Sequence, residues 1–182
     1  NTTRAGYFHL RNYFLAPIFP KPVVVTSKCL EFAACRYKGT KISFNLLEHM
    51  QPHIRFVPIC PEVEIGLGTP RDPIRLIAEK NGGQDLVQPS TKKNLTKKME
   101  RFARSYLKNL GTVDGFILKA KSPSCGIRDA KVFKNLDEGY ALGKGPGIFT
   151  KEVLDRFSGL AVEDEGRLNN FTLREHFLTK LF

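Results

Sequence analysis

Three cysteine side chains lie in short loops that are far apart in the sequence, yet each loop follows a similar apolar run. Cys29 and Cys60 each follow such a run closely, and Cys125 lies in the motif Ser-Pro-Ser-Cys-Gly at 122–126. The runs are 23–25, 56–59 and 116–118. Because short apolar runs are typical of buried β-strands, we expect strand-end loops to bring the three thiols to one point. Three thiolates there would hold a metal or cluster and leave one coordination position open.

The thiols alone do not select one metal. Thiolate ligands favour zinc, copper(I) or iron–sulfur clusters. The sequence contains no Cys-x-x-Cys pair of the zinc-finger kind. The long and uneven spacing of the four cysteines also argues against disulfides in a chain of 182 residues. If the open position belongs to an iron, that soft metal would prefer a sulfur ligand.

Three polar side chains and the fourth cysteine lie in or near the same motifs. Glu62, two residues after Cys60, could act as a general acid or base beside a metal, or could pair with an arginine. Ser122 and Ser124 could orient a substrate or move a proton, or could cap a turn. Cys35 is expected to be a buried, inert thiol, which is the commonest state of a free cysteine. The alternative is a fourth ligand, which would close the site.

The composition is that of a basic protein. The chain carries 29 Lys and Arg residues against 18 Asp and Glu residues, a formal net charge of +11. The positive electrostatic field of such a protein favours the binding of polyanions, among which nucleic acid is the commonest in the cytosol. A basic surface without a nucleic-acid partner is the alternative. Since no unbroken run of roughly 18 apolar residues occurs, we expect no membrane helix and a cytoplasmic protein.

Apolar periodicity and turn residues predict alternating strands and helices. Strands are predicted at 22–26, 55–60 and 115–119, and helices at 43–50, 90–110, 148–158 and 170–181. The segments 61–73 and 81–90, rich in glycine and proline, are predicted to be loops. The pattern favours a single α/β domain at 21–182, a mainly parallel sheet flanked by helices in a Rossmann-like three-layer arrangement, after an N-terminal extension at 1–20. Ligand sites in such folds form beyond the carboxyl ends of strands, where the cysteine loops would open.

The helix predicted at 90–110 has an apolar stripe and strongly basic other faces. The basic residues are Lys92, Lys93, Lys97, Lys98, Arg101, Arg104 and Lys108. These cations form either a solvated helix face or a ridge that contacts RNA.

Four segments of the sequence resemble the thiouracil desulfidase family. They are 29–39, with Cys-Arg-Tyr-Lys-Gly at its end; 60–71, Cys-Pro-Glu-Val-Glu-Ile-Gly-Leu-Gly-Thr-Pro-Arg; 122–126, Ser-Pro-Ser-Cys-Gly; and 163–175, with Glu-Asp-Glu-Gly-Arg-Leu and Leu-Arg-Glu. The resemblance runs from about residue 22 to the end of the sequence. The run 63–71 and the closing segment are most similar to the longer members, which remove sulfur from 4-thiouridine in transfer RNA.

The resemblance implies a [4Fe-4S] cluster held by Cys29, Cys60 and Cys125, with the fourth cysteine outside the ligand set. It implies that the sulfur of a thiolated pyrimidine binds the unique iron, which acts as a Lewis acid. Water would attack the activated carbon with the help of Glu62 and Ser122, the implied catalytic residues. The sulfur would leave as sulfide without net redox change.

The resemblance leaves the substrate open between a free thiolated uracil compound and transfer RNA. Where the family usually has Arg-Tyr-Asp-Gly, this sequence has Lys38 in place of the acid, which would suit a phosphate-bearing substrate. The longer members carry a further C-terminal domain, so the sequence is expected to be a standalone relative or the catalytic part of a longer protein. The competing hypothesis is a non-catalytic basic RNA-binding module whose cysteines hold zinc or no metal.

Overall fold

Strands and helices alternate through most of the chain. The computed structural model describes residues 20–137 and 139–182, so the predicted N-terminal extension at 1–20 lies outside the described residues except for Pro20. In chain order the elements are β1 (Val23–Ser27), α1 (Asn45–Met50), β2 (Arg55–Ile59), α2 (Pro61–Glu64), β3 (Arg75–Ala78), β4 (Gln84–Gln88), β5 (Lys93–Asn94), α3 (Thr96–Lys108), β6 (Gly115–Leu118), β7 (Ala130–Phe133), β8 (Gly143–Gly145), α4 (Ile148–Arg156), β9 (Ala161–Asp164) and α5 (Phe171–Leu181).

A parallel four-stranded sheet forms the centre of the molecule. Its strands lie in the order β2-β1-β6-β9. The inner strands β1 and β6 contain Val24, Val25, Phe116, Ile117 and Leu118, all fully buried. Strands that are covered on both faces have unbroken apolar sequences, which is why apolar runs predicted these strands.

Alternate residues of the inner strands pack against different helices. Val25 and Phe116 belong to the core that includes α3 and α4, whereas Val24 and Ile117 belong to the core that includes α1 and α5. Because successive side chains of a strand point to opposite faces, the sheet lies between two helical layers. The predicted α/β fold, a mainly parallel sheet flanked by helices, is therefore confirmed.

A second sheet of five strands was not predicted. Its order is β5-β4-β3-β7-β8, with one parallel pair, β3 and β7, and three antiparallel pairs. The loop prediction for 81–90 is wrong where β4 forms. The glycine-rich residues form only the turn between β3 and β4, where Gly82 has a φ of +83° and Glu79 N–H bonds to the carbonyl oxygen of Gly83.

Two predicted boundaries also differ from the structure. The helix expected from residue 90 begins only at Thr96, because Lys93 and Asn94 pair with β4 instead. Asn94 Oδ1 accepts a hydrogen bond from Thr96 N–H at 2.9 Å. The segment 61–73, predicted as a loop, opens with the one-turn helix α2, in which Pro61 takes the first position.

None of the helices in the described part of the chain is long and apolar enough to cross a membrane.

Candidate active site at the carboxyl ends of the parallel strands

The three predicted cysteine loops leave the parallel sheet from neighbouring strands. Cys60 directly follows β2, Cys29 lies two residues after β1, and Cys125 lies in the loop that follows β6. Strand β1 lies between β2 and β6, so the three carboxyl ends share one edge of the sheet. The chain connects β1 to β2 on one side and later returns to β6 on the other. Open α/β sheets bind ligands at such a reversal of strand order.

A cavity of about 790 Å³ opens at this edge. The residues that line it include Cys29, Cys60, Cys125, Glu62 and Ser122, and also Cys35. The four cysteines are free thiols, each no more than 9% exposed. The structure thus brings all five predicted site residues together and does not separate Cys35 from them. Within residues 20–137 and 139–182, no set of three or more His, Cys, Asp or Glu side chains is placed to hold a single metal ion.

The buried thiols affect one another's ionisation. Burial, with a further contribution from Cys35 and Cys60, raises the pKa of Cys29 to about 12. Burial also raises the pKa of Cys125, although a hydrogen bond with Ser27 opposes the rise. The Cys60 thiol lies 3.9 Å from the carbonyl oxygen of Cys35. Burial therefore favours the neutral form of Cys29 and Cys125, whereas a coordinating metal favours the thiolate.

The loop of Cys125 is fixed by one of its own serines. Ser122 Oγ accepts hydrogen bonds from the N–H groups of Ser124 and Cys125, at 3.2 and 3.1 Å. Gly126 N–H donates to the carbonyl oxygen of Ser122 at 2.8 Å. Ser122 therefore caps a turn, which is one of the two roles that the sequence allowed.

The first turn of α4 binds the same loop. The N–H groups of Phe149 and Thr150 donate to the carbonyl oxygen of Ser124, at 3.1 and 3.2 Å. Thr150 Oγ1 donates to the carbonyl oxygen of Cys125 at 2.7 Å. The backbones approach so closely that a Cβ atom at Gly147 would lie 2.4 Å from the carbonyl carbon and oxygen of Ser124. N–H groups that lack partners within the helix thus hold the third cysteine in place.

A fourth strand end contributes Glu165, which directly follows β9. Its Oε1 forms an ion pair with Lys119 Nζ, and its Oε2 accepts a hydrogen bond from Ala120 N–H at 2.7 Å. Lys119 N–H in turn donates to Ser27 Oγ, at the end of β1, at 2.9 Å. These contacts fix the segment that leads from β6 to the third cysteine.

Glu62 pairs with Arg71, nine residues later in the chain. Arg71 Nε and Nη2 both donate to Glu62 Oε2, at 3.0 and 2.7 Å. The two side chains are only 5% and 13% exposed. Arg71 Nη1 also donates to the carbonyl oxygens of Cys35 and Gly68, at 3.0 and 2.8 Å. The arginine pairing that the sequence left open is therefore present, and it joins Glu62 to the segment after the first cysteine.

The other carboxylate oxygen of Glu62 faces the two serines. Ser124 Oγ donates to Oε1 at 3.0 Å, and Ser122 Oγ lies 3.5 Å from the same atom. Ser124 is fully buried, whereas Ser122 lines the cavity. A ligand in the cavity can therefore reach Ser122 but not Ser124. A carboxylate held in this way can exchange a proton with water or substrate.

Cations outnumber carboxylates around the cavity. The basic residues that line it are Lys28, Arg36, Arg71, Arg75, Lys119, Lys121, Lys131 and Lys144, and the acidic residues are Glu62 and Asp129. Lys131 on β7 lies directly opposite Lys144 on β8. Like charges in this relation destabilise a sheet, and a bound anion would offset the repulsion. The cavity therefore suits a ligand that carries an anionic group.

Arg71 and Gly147 are among the contributors to the site that were not predicted from the sequence. Arg71 closes the specific run 60–71, and its place at the end of that motif was the available signal. Gly147 ends the tripeptide Gly-Pro-Gly, a composition that indicates a tight backbone approach. Neither signal identifies the residues that Arg71 and Gly147 contact, because each contact joins segments that are brought together only by the fold.

Comparison with known proteins agrees with this geometry. Residues 24–165 match the family described as 2-thiouracil desulfurase. The solved structure of the [4Fe-4S]-dependent thiouracil desulfidase TudS superposes with a TM-score of 0.64 at 28% identity, covering 86% of this chain and 99% of that one. The uncharacterized protein YbbK of Bacillus subtilis (strain 168) is 31% identical over 111 residues, which are 57% of this chain and 73% of that protein. The family match includes all three cysteine loops and most of the chain, so this protein belongs to the 2-thiouracil desulfurase family.

Proposed function

We propose that this protein removes sulfur from thiolated uracil, with 4-thiouridine, in transfer RNA or as a nucleoside or nucleotide, as the substrate. The observation that carries the proposal is that three thiols from neighbouring strand ends line one cavity with the Glu62 carboxylate. The similar protein TudS is a [4Fe-4S]-dependent thiouracil desulfidase, which supports the same chemistry here. The proposal assigns the activity to a domain at 21–182.

A [4Fe-4S] cluster held by Cys29, Cys60 and Cys125 fits the donor set of the cavity. Thiolates are the usual ligands of such clusters. Each thiolate of a cluster binds a different iron, so the three ligands need not converge on one ion. Cys35 is proposed to stay outside the ligand set.

The side chains around the cavity then have distinct roles. When bound, the cluster would supply a Lewis-acidic iron whose open position takes the substrate's sulfur. Glu62 would accept through Oε1 a proton from the water that attacks the carbon of the C=S group. Ser122 would share that proton, and Arg71 would hold the carboxylate through Oε2. Water supplies the oxygen of the new C=O group and sulfur leaves as hydrogen sulfide, so this hydrolase-type cleavage needs no oxidant or reductant.

The basic lining of the cavity favours a phosphate-bearing form of the substrate. Lys131 and Lys144 lie side by side on neighbouring strands, and two ammonium groups suit phosphate oxygens. We therefore expect a lower KM for 4-thiouridine monophosphate and thiolated transfer RNA than for free 4-thiouracil. Equal KM values for the three would contradict the assignment of a phosphate-bearing substrate.

Anaerobic purification tests the cofactor and separates the proposal from its alternative. We expect a brown protein with broad visible absorption and about four iron atoms per chain, as in a [4Fe-4S] cluster. A colourless protein with stoichiometric zinc and no iron would contradict the proposal. That result would favour a non-catalytic basic RNA-binding module.

A further inference from the structure

Helix α3 presents cations that the rest of the fold does not neutralise. Three of them, Lys98, Arg101 and Lys108, are exposed and form no salt bridge among the described residues. Lys92 and Lys93 are also exposed but precede the helix, in a turn and in β5. We call Lys98, Arg101 and Lys108 the α3 ridge. They differ from Arg104, which pairs with Glu100 and Glu152, and from Lys97, which lines a small pocket that also contains acidic residues.

Cations near the start of α3 lie at positions that are unfavourable for the helix itself. Lys97 and Lys98 lie in the first turn of α3, which contains no acidic residue. Cations are unfavourable at this end because the helix dipole is positive there. Lys98 and Arg101 are also three residues apart on one surface, where like charges repel. Neither helix stability nor ion pairing accounts for Lys98 and Arg101, so their placement points to an external polyanion. Lys108 lies in the last turn, where the helix dipole favours a cation, and extends the same exposed basic surface.

The ridge begins beside the candidate active site. Helix α2, which carries Glu62, packs against α3. The ammonium group of Lys98 lies 3.7 Å from the position that a Cβ atom would take at Gly66, two residues after α2. Lys108 lies ten residues further along α3, which is about 15 Å along the helix axis. A ligand that reaches both the cavity and the far end of the ridge must be longer than a single nucleotide.

We propose that the α3 ridge binds the phosphodiester backbone of the transfer RNA whose thiolated uracil enters the cavity. The identity of this RNA rests on the proposed function, whereas the binding surface itself rests on the charges of α3. Lysine and arginine contacts to phosphates supply affinity that is independent of base sequence and sensitive to salt. A free thiolated base or mononucleotide would not use the ridge, so the ridge discriminates between RNA and small substrates.

A matched pair of double variants tests the ridge. Arg101→Ala/Lys108→Ala removes two ridge cations, and Arg174→Ala/Lys180→Ala removes the same residue types from α5, in the opposite helical layer. The probe is unmodified transfer RNA, bound by the anaerobically purified protein over a range of salt concentrations. The ridge variant is expected to bind about tenfold more weakly, and the slope of log affinity against log salt should fall by about two. The α5 variant is expected to bind like wild type.

Sulfide release separates this inference from the proposed function. The ridge variant should show a KM about tenfold higher for thiolated transfer RNA and an unchanged kcat/KM for 4-thiouridine monophosphate. The inference would be overturned if the ridge variant had an unchanged circular dichroism spectrum and bound transfer RNA with the affinity and salt dependence of the wild-type protein. If wild-type protein released no sulfide from any thiolated uracil, the proposed function would fail. In that case, a loss of RNA binding by the ridge variant would still support the ridge as an RNA-binding surface.

Discussion

Arg71 directs two hydrogen bonds to one oxygen of Glu62 and none to the other. Its Nε and Nη2 atoms lie 3.0 and 2.7 Å from Oε2, so Oε1 remains for Ser124 and Ser122. The same guanidinium donates to the carbonyl oxygen of Cys35. One arginine therefore fixes both the orientation of the proposed general base and its distance from the cysteine segment.

Arg71→Lys is expected to keep the charge and lose the fork that holds Oε2. A carboxylate displaced by about 1 Å can lose on the order of a hundredfold in rate, so kcat should fall by about tenfold to a hundredfold while KM changes little. Arg36→Lys is the control, because Arg36 lines the cavity and forms no salt bridge within the described residues. Rates of sulfide release at equal iron content measure both variants. If Arg71→Lys had the kcat of the wild-type protein, Arg71 would not be needed to position Glu62.

Arg71→Ala tests the stability of the same pair. Removing one partner of a buried ion pair leaves the other charge uncompensated, which costs about 3–5 kcal/mol. Since Glu62 is 13% exposed, we expect the lower part of that range. Denaturant unfolding of both Arg71 variants measures the loss, and Arg71→Lys should lose less. Equal stability of wild type and Arg71→Ala would mean that the pair contributes nothing to folding.

Cys35 lies in the same cavity as the three proposed ligands, so its distance from the site does not exclude it. We nevertheless expect Cys35→Ser to keep the iron content and the rate of sulfide release, because three thiolates leave the open position that the reaction needs. Serine in place of Cys29, Cys60 or Cys125 should lower the iron content. Iron and acid-labile sulfide per chain, measured anaerobically, check all four variants. A colourless Cys35→Ser protein would show that the ligand set is wrong.

Gly147→Ala is expected to disturb the third cysteine loop. The new Cβ atom would lie 2.4 Å from the carbonyl group of Ser124 and 2.8 Å from Cys125 N, so the backbone must move. Overpacking of this kind costs about 1–3 kcal/mol and here displaces a proposed ligand. Iron content and the unfolding midpoint should both fall.

Gly159→Ala is the matched control for that variant. No atom lies within 4 Å of the Cβ position at Gly159, and its φ is outside the left-handed region. Alanine at such a position is expected to be neutral or slightly stabilising. If Gly147→Ala and Gly159→Ala had the same iron content and midpoint, the close contact between α4 and the third loop would be unimportant.

The parallel sheet and its three cysteine loops could be predicted from sequence because buried strands have local signatures. Runs such as 23–25 and 116–118 are apolar on both faces, and each leads toward a cysteine. Helices α3, α4 and α5 have apolar residues at helical spacing, and their observed bounds differ from the predicted ones mainly at the ends.

The second sheet could not be predicted in the same way. Its strands are short, and their cavity-facing positions carry Arg75, Lys131 and Lys144 in place of apolar residues. These charges face the candidate site, so the apolar alternation that marks a half-buried strand is missing. The contacts of Arg71 and Glu165 could not be predicted from the sequence for another reason. Both depend on how a loop meets a distant strand end, which no local pattern encodes.

Sulfide release by Glu62→Ala tests the central claim most directly. The measurement compares wild type and Glu62→Ala, both purified anaerobically and matched for iron content, with 4-thiouridine as substrate and no added reductant. We expect wild type to release one sulfide for each uridine formed. Glu62→Ala should stay brown and lose at least about a hundredfold in rate, since general acid–base catalysis contributes that much. Wild-type turnover by Glu62→Ala, or no sulfide from iron-loaded wild type, would contradict the account.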